Sequence, residues 1–524
     1  MTLNQTKSSS NFMVLSILSG LGFLLLLEAM ALWLTGGRFE YPLDDVYIHL
    51  AMAEGIRAGG YGVNPGEYAS AASSALYPFL LLPVFPPEIQ RIVPMFWNVV
   101  GLVASAVLWA KLLIAGGYGS DRLRPIGLGL AIAGPIALLM SSTAFLGMEH
   151  TLHTAASLAI LLGLVRLIQG SPNWTLLFAG IFLSPILRYE GLALALLACG
   201  VLFISGHRGR AGVGMVLAVL PLAMFSGYLM SLGLDPLPNS IQAKQLIAAK
   251  ADANMLQSLI AKFRNNISNG GGAILLGFVL ALWAALVASK TVRSGPYRLL
   301  TMVLIVAGAG HLFLGQIGWM NRYEHYILTV LVAGLLLVVG SVSDRLSKPA
   351  LAAIAALAMG IPSMWYLPEV VGHFPIGPRA VHHQQGQMSV FVKQHLNAPV
   401  AVNDIGWLSW DNENYVLDLW GLASAKALHL RLGDTDDGWA GPLAQEHDAV
   451  VAMIYQKWLA DAVDPSWVRL GDFRLKDWRG FLGGHTVTFY ATAPRHVPAA
   501  LKALDEWVPG LDPLTYFEYT QGPD

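Results

Sequence analysis

Two adjacent carboxylates, Asp44 and Asp45, stand in the run Tyr-Pro-Leu-Asp-Asp-Val-Tyr-Ile-His-Leu that covers residues 41–50. They follow the first long apolar segment, which ends near Leu34. A carboxylate pair beside lipid can supply a general base, with the second acid orienting the first or holding a cation. The pattern also predicts a helix from the pair to about Ala58, and an Asp at a helix start caps it and complements its dipole. Both readings stay open on these residues alone. His49 stands four residues after Asp45, on the same face of that helix. There it can tune the carboxylate, help bind a phosphate or satisfy a local hydrogen bond.

Other polar groups interrupt the apolar sequence. Asn64-Pro65-Gly66-Glu67 reads as a turn, and Ser70, Ser73 and Ser74 either cap the next helix or line a polar pocket. Gly147-Met148-Glu149-His150 marks a helix start, where a Glu is favoured by the dipole. Arg188-Tyr189-Glu190 places both signs of charge near a membrane boundary, where such residues are paired or functional. An Arg188–Glu190 or Arg188–Glu149 ion pair is the plain structural alternative. Asn239 and Ser240 precede Lys244, which can meet a lipid phosphate or simply snorkel to water. Arg322 and Tyr323 offer a second cation at the start of another span, and Arg suits phosphate because its fork donates two hydrogen bonds. Glu28 and His311 fall inside spans and read as interhelical hydrogen-bond partners, with Glu28 close enough to the outer face to join the site.

These groups need a scaffold, and the composition says which kind. Of 524 residues, 55% are hydrophobic and 12% charged, about half the charge of ordinary globular domains. Long uncharged stretches predict a polytopic α-helical membrane protein. The net charge of −1 gives no reason to expect nucleic acid, and the single Cys199 rules out a disulfide within the chain. About eleven spans are expected: 12–34, 92–115, 127–143, 151–168, 176–187, 192–205, 213–232, 273–289, 299–315, 326–342 and 350–367. The first is too long for a signal-peptide core and reads as a retained helix. Residues 75–85 are apolar but short, and read as a helix at the membrane face.

With that count, Lys7, Arg122, Arg124, Arg208, Arg210, Lys290, Arg293, Arg298, Arg345 and Lys348 fall in alternate short loops. The positive-inside rule puts these loops and the N-terminus in the cytoplasm of a plasma (inner) membrane protein. The acids and remaining cations then share the outer face. The expected domains are 1–368, transmembrane, with a first outward loop of about 36–90, and 369–524, an outward C-terminal soluble α/β domain. In that domain 400–402, 415–419, 449–454 and 486–490 read as strands, and 380–396 and 499–507 as helices. Acids and cations gathered at one membrane face suit an anionic lipid-linked substrate reacting at its headgroup. A base takes the proton of an acceptor hydroxyl, while cations or a metal stabilise a departing phosphate. A divalent cation is compatible with this chemistry, but no ligand set in the sequence specifies one.

At these positions the chain resembles the GT-C superfamily of polyprenyl-phosphate-sugar glycosyltransferases, and within it the bacterial arabinofuranosyltransferases that add terminal sugars. The matching stretches are Asp44-Asp45-Val-Tyr-Ile-His-Leu, Asn64-Pro-Gly-Glu67, Gly147-Met-Glu149, Arg188-Tyr-Glu-Gly191, Leu237-Pro-Asn-Ser240 with Ala243-Lys244, Asp404-Ile-Gly406 and 416–422. Tyr189 stands where the pattern has Pro, Ser240 where it has Thr, and 319–322 is only loosely similar. The resemblance implies an inverting transfer from a polyprenyl-phosphate-sugar donor, such as an arabinofuranose donor, to an envelope glycan, lipid or protein acceptor. One Asp of the pair would be the base. Arg188, Lys244 and Arg322 would be phosphate contacts, with His49, Glu149, Glu190, Asn239 and Tyr323 nearby in donor binding. Two other classes stay open: a lipid or glycan transporter or flippase, and a non-catalytic assembly protein whose Trp-rich domain binds glycan.

Overall fold

A computed structural model describes residues 3–82, 85–248, 255–433 and 435–520. Each of the eleven apolar runs coincides with a helix: Leu3–Leu34, Val93–Ala115, Arg124–Ala137, His150–Ile168, Trp174–Leu187, Gly191–Ile204, Arg208–Ser231, Gly270–Ala288, Arg298–Leu314, His325–Ser341 and Lys348–Gly372. Among the described residues, seven helical stretches are long and apolar enough to cross a membrane. The helices Trp174–Leu187, Gly191–Ile204, Arg298–Leu314 and His325–Ser341 are shorter. At 1.5 Å per residue a 14-residue helix is about 21 Å long, against about 30 Å of hydrocarbon. Length and composition by themselves mark seven helices as able to cross, and the four shorter ones fall below that length. The predicted span 127–143 is interrupted: Pro135 lies inside its helix, Leu139 turns left-handed at φ 62°, and a short helix Met140–Phe145 follows. Of the expected membrane-face helix at 75–85, only Tyr77–Leu80 is helical, with the Ser74 hydroxyl accepting the Tyr77 N–H at 3.1 Å. Residues 83 and 84 lie outside the described residues.

Two compact units emerge, both discontinuous in sequence. The first comprises residues 1–29, 95–224 and 252–372 and is helical. The second gathers 30–94 and 225–251 with 373–524. The first loop after the opening helix is thus folded together with the C-terminal sheet.

That sheet has six strands: β1 Val400–Val402, β2 Val416–Asp418, β3 Val451–Ile454, β4 Val468–Leu475, β5 Thr486–Ala491 and β6 Thr515–Tyr519. Their order is β2-β1-β3-β5-β4-β6. β1, β2 and β3 run parallel, and β5, β4 and β6 continue antiparallel. The parallel strands are short, buried on both faces and rich in Val and Ala, as strands covered on two sides must be. One side carries a cluster with Ala401, Leu417, Ala452, Ile454, Trp439 and Trp467. Phe391, Phe473, Phe489 and Phe517 pack around Trp507, with ring centroids 5.0–6.4 Å away. These tryptophans are core residues, as their apolar surroundings require. The sequence reading missed β4 and β6, whose partly exposed residues include Arg469, Arg474, Tyr516 and Glu518.

The expected helix at 380–396 is present from Gly377, with wide i→i+5 turns at His382–Gly386 and Phe391–Leu396. Such turns shift side chains off the regular helical register.

Candidate active site

Asp45 is the first residue of the helix Asp45–Arg57, close to the predicted boundaries. Asp44 does not cap that helix with its side chain. Its two carboxylate oxygens instead accept the backbone N–H groups of Gly406, at 2.7 Å, and Trp407, at 2.9 Å. These N–H groups open the short helix Gly406–Ser409, whose first donors need acceptors and whose own N-cap, Ile405, has none to offer. A loop residue 362 positions earlier in the chain therefore caps a helix of the sheet domain. The approach leaves no room for a side chain at 406. A Cβ there would sit 2.1 Å from the Asp44 carbonyl oxygen and 2.6 Å from Oδ2.

The helix Gly406–Ser409 follows β1, so Asp44 is held at the carboxyl edge of the parallel strands, where sheets of this kind place their ligands. Two more groups come from that edge. Asp404 follows β1, and its Oδ2 accepts Gln385 Nε2 at 2.8 Å. Tyr455 follows β3, and its hydroxyl donates to Gln384. Gln384 and Gln385 sit in the first wide turn of the helix. Burial pushes the carboxyl groups of Asp44 and Asp404 well above the ordinary carboxylate range. Their mutual repulsion and the charge of Asp45 push the same way for Asp44, while the Trp407 and Gly406 N–H bonds oppose. For Asp404 the Tyr455 hydroxyl opposes and Asp45 adds repulsion. The result is a cluster of three like-charged groups that retains a proton near neutrality. Sequence reasoning had quoted Asp404 and Gly406 only as part of a resemblance. Gln384, Gln385 and Tyr455 carry no local signal, because only the fold brings them to Asp404.

The neighbouring polar residues of this unit act as ties. Asn64 behaves as an extra peptide on the edge strand β2: Oδ1 accepts the Val416 N–H at 2.9 Å and Nδ2 donates to the Val416 carbonyl at 3.0 Å. Glu67 accepts the Tyr415 hydroxyl at 2.6 Å. Ser70 Oγ accepts the Asn239 N–H at 3.0 Å, and Ser240 donates to the Ala72 carbonyl at 3.0 Å. Asn239 thus joins two loops. Lys244 lies on the helix Asn239–Ala248, with its side chain outside the described residues. His49 Nε2 stands 3.5 Å from Ser73 Oγ, and its ring meets Tyr77 edge-on at 5.3 Å.

The helical unit brings together the other predicted residues. Arg188 donates to Glu149 and to Glu190, each at 2.8 Å, and lies 3.0 Å from His150 Nε2. Both ion pairs weighed from the sequence are therefore present at once. Arg188 also lies over the Tyr323 ring at 5.7 Å. Arg322 lies over the same ring at 5.2 Å and donates to the Tyr323 hydroxyl at 3.2 Å and to Met148 Sδ at 3.0 Å. Trp319, Met320 and Asn321 are all left-handed, so Arg322 is presented from a strained turn. His311 bridges within this unit as expected, 3.2 Å from the Tyr326 hydroxyl and 3.0 Å from the Gln316 carbonyl. Glu28 is half-buried on the opening helix.

Among the described residues, no group of three or more His, Cys, Asp or Glu side chains is arranged to hold a metal ion. Fold and composition together define a helical membrane protein with an appended mixed sheet that carries an acid cluster. Residues 379–490 match a family described as a domain of unknown function, DUF8728, a stretch that includes Asp404, Gly406, Trp407 and Tyr455. No curated protein matches the chain.

Proposed function

We propose that the protein is a membrane glycosyltransferase of the GT-C type, moving a sugar from a polyprenyl-phosphate donor to an acceptor hydroxyl on the outer side of the membrane. The observation that carries this reading is the Asp44–Asp45 pair at the carboxyl edge of the parallel strands. Asp44 is the positioning residue, because its oxygens serve the Gly406 and Trp407 amides. Asp45 is the base. It takes the proton of the acceptor hydroxyl as that oxygen bonds to the anomeric carbon. The bond from that carbon to the phosphate oxygen breaks, polyprenyl phosphate leaves, and the configuration inverts. The sugar is one of the envelope pentoses or hexoses, with arabinofuranose favoured by the sequence resemblance.

In this reading all eleven apolar helices cross, the N-terminus is cytoplasmic and the sheet lies outside. The folding of 30–94, 225–251 and 373–524 into one unit supports it. These segments must share one side of the membrane, which requires an even number of crossings between them. Eleven crossings supply six and four, and the seven longest helices alone supply four and two, so the shared side is kept under either count.

The test is release of polyprenyl phosphate from a polyprenyl-phosphate sugar by the purified protein with an acceptor present. Asp45→Ala should lower turnover at least about a hundredfold, the scale of losing a general base. Full turnover in that variant would remove Asp45 as the base, and full turnover in Asp44→Ala as well would sink the reading.

A further inference from the structure

A second cluster in the sheet-bearing unit has no role in the proton transfer. Glu40, 4% exposed, accepts the Tyr47 hydroxyl at 2.8 Å, pairs with Arg91 at 2.9 Å and lies 3.1 Å from His382 Nδ1. The other ring nitrogen of His382 lies 2.7 Å from Arg38 Nη1. Because Arg donates only, His382 Nε2 is the acceptor and Nδ1 carries the proton toward Glu40. The chain Arg38–His382–Glu40–Arg91 thus holds two guanidinium groups against one carboxylate, a surplus of one positive charge with His382 neutral. Arg38 is exposed. Arg91 lies 5.5 Å over the ring of Trp407, the residue whose N–H Asp44 accepts. The cluster and the acid pair therefore share one frame.

Its place in the chain says what the surplus charge meets. Arg38 stands four residues beyond the apolar helix that ends at Leu34, and Arg91 two residues before the helix Val93–Ala115. Four extended residues reach at most about 14 Å, so these cations are held at a membrane boundary. Basic groups there attract anionic headgroups, and a guanidinium fork matches phosphate oxygens. We infer that Arg38, with Arg91 and His382 behind it, forms a binding site for the phosphate of a lipid-linked phosphate. The inference deepens the proposed transfer reaction and rests on it for the identity of the lipid. It places the phosphate contact in the same unit as the acid pair, on residues that no sequence motif had marked.

Arg38→Gln is the informative variant, since it removes the exposed cation and leaves the Glu40–Arg91 pair intact. Full-length protein in neutral phosphatidylcholine nanodiscs would be titrated with a short-chain polyprenyl phosphate and, separately, with phosphatidylglycerol. Binding of the polyprenyl phosphate should weaken about tenfold or more in Arg38→Gln, the loss of one charge-assisted contact, and less in Arg38→Lys. Inorganic phosphate should compete in the unaltered protein. Equal binding by Arg38→Gln would overturn the site, as would a loss confined to phosphatidylglycerol, which would mark a general headgroup contact. Asp45→Ala should bind polyprenyl phosphate as the unaltered protein does. If that variant also turned over fully while Arg38→Gln lost binding, the phosphate site would stand and the base assignment would fall.

Discussion

The helical unit and the sheet-bearing unit both bury charged groups, and they do so in opposite ways. In the helical unit Arg188 sits between Glu149 and Glu190, opposite charges at hydrogen-bond distance. In the sheet-bearing unit Asp44, Asp45 and Asp404 are like charges near one another, with Asp44 held by two backbone amides and Asp404 by Gln385. Balanced pairs hold structure and have little reason to change protonation state. Crowded like charges cost stability and keep a proton in play, which is the condition of acid–base chemistry. Residue type marked Asp44, Asp45, Arg188, Glu149 and Glu190, and Asp404 entered only through the resemblance; the sign of the nearby charge separates the two clusters.

The contrast predicts different failures. The largest effect on folding should come from Arg188→Met, which removes the cation bonded to both Glu149 and Glu190. Breaking a buried pair from one side costs about 3–5 kcal/mol. The thermal midpoint should fall sharply, and Arg188→Met with Glu149→Gln should recover part of the loss. A turnover defect with an unchanged midpoint would instead give Arg188 a role in the reaction.

Gly406→Ala should come next. The added methyl meets the Asp44 carbonyl and carboxylate, so the loop that carries Asp44 must shift and the two N–H bonds weaken. Overpacking of this kind costs about 1–3 kcal/mol. Because the shift moves Asp45 with its neighbour, the measured turnover should drop further than stability does. An equal effect on both would make Asp44 a structural cap alone.

The smallest effect is a change of slope. Asp44 and Asp404 have pKa values raised in the folded state, from an ordinary 3.8. Between that value and the raised ones the folded chain binds more protons than the unfolded chain. Their contribution is therefore fully present at acid pH and is lost as pH rises toward and past neutrality. In Asp404→Asn one of these groups is gone and the repulsion on Asp44 is relieved. The midpoint of this variant should decline less with rising pH than that of the unaltered protein. Parallel pH profiles would refute the shared-proton cluster.

Much of this was legible before the fold. The apolar runs are helices, the conformation that lets an apolar segment satisfy its own backbone groups away from water. The parallel strands β1, β2 and β3 were visible as compact apolar runs. The strands β4 and β6 were not, since half-exposed antiparallel strands mix Arg, Asp and Glu with aromatics. His49, Asn64 and Asn239 were singled out by type, yet Asn64 and Asn239 serve as loop ties, a role that depends on which strand or loop lies opposite.

By itself the sequence determined that this chain is a helical membrane protein, roughly where its apolar helices lie, and that Asp44-Asp45 opens a helix. Those are matters of local composition and period. Only the tertiary structure decided that Asp44 caps a helix in the sheet domain, that Asp404 and Tyr455 stand at the same sheet edge, and that Arg91 and His382 meet Glu40 with Arg38 on the far side of His382. Each of these depends on a contact across tens to hundreds of residues, and the charge environment of a group is set by its neighbours in space.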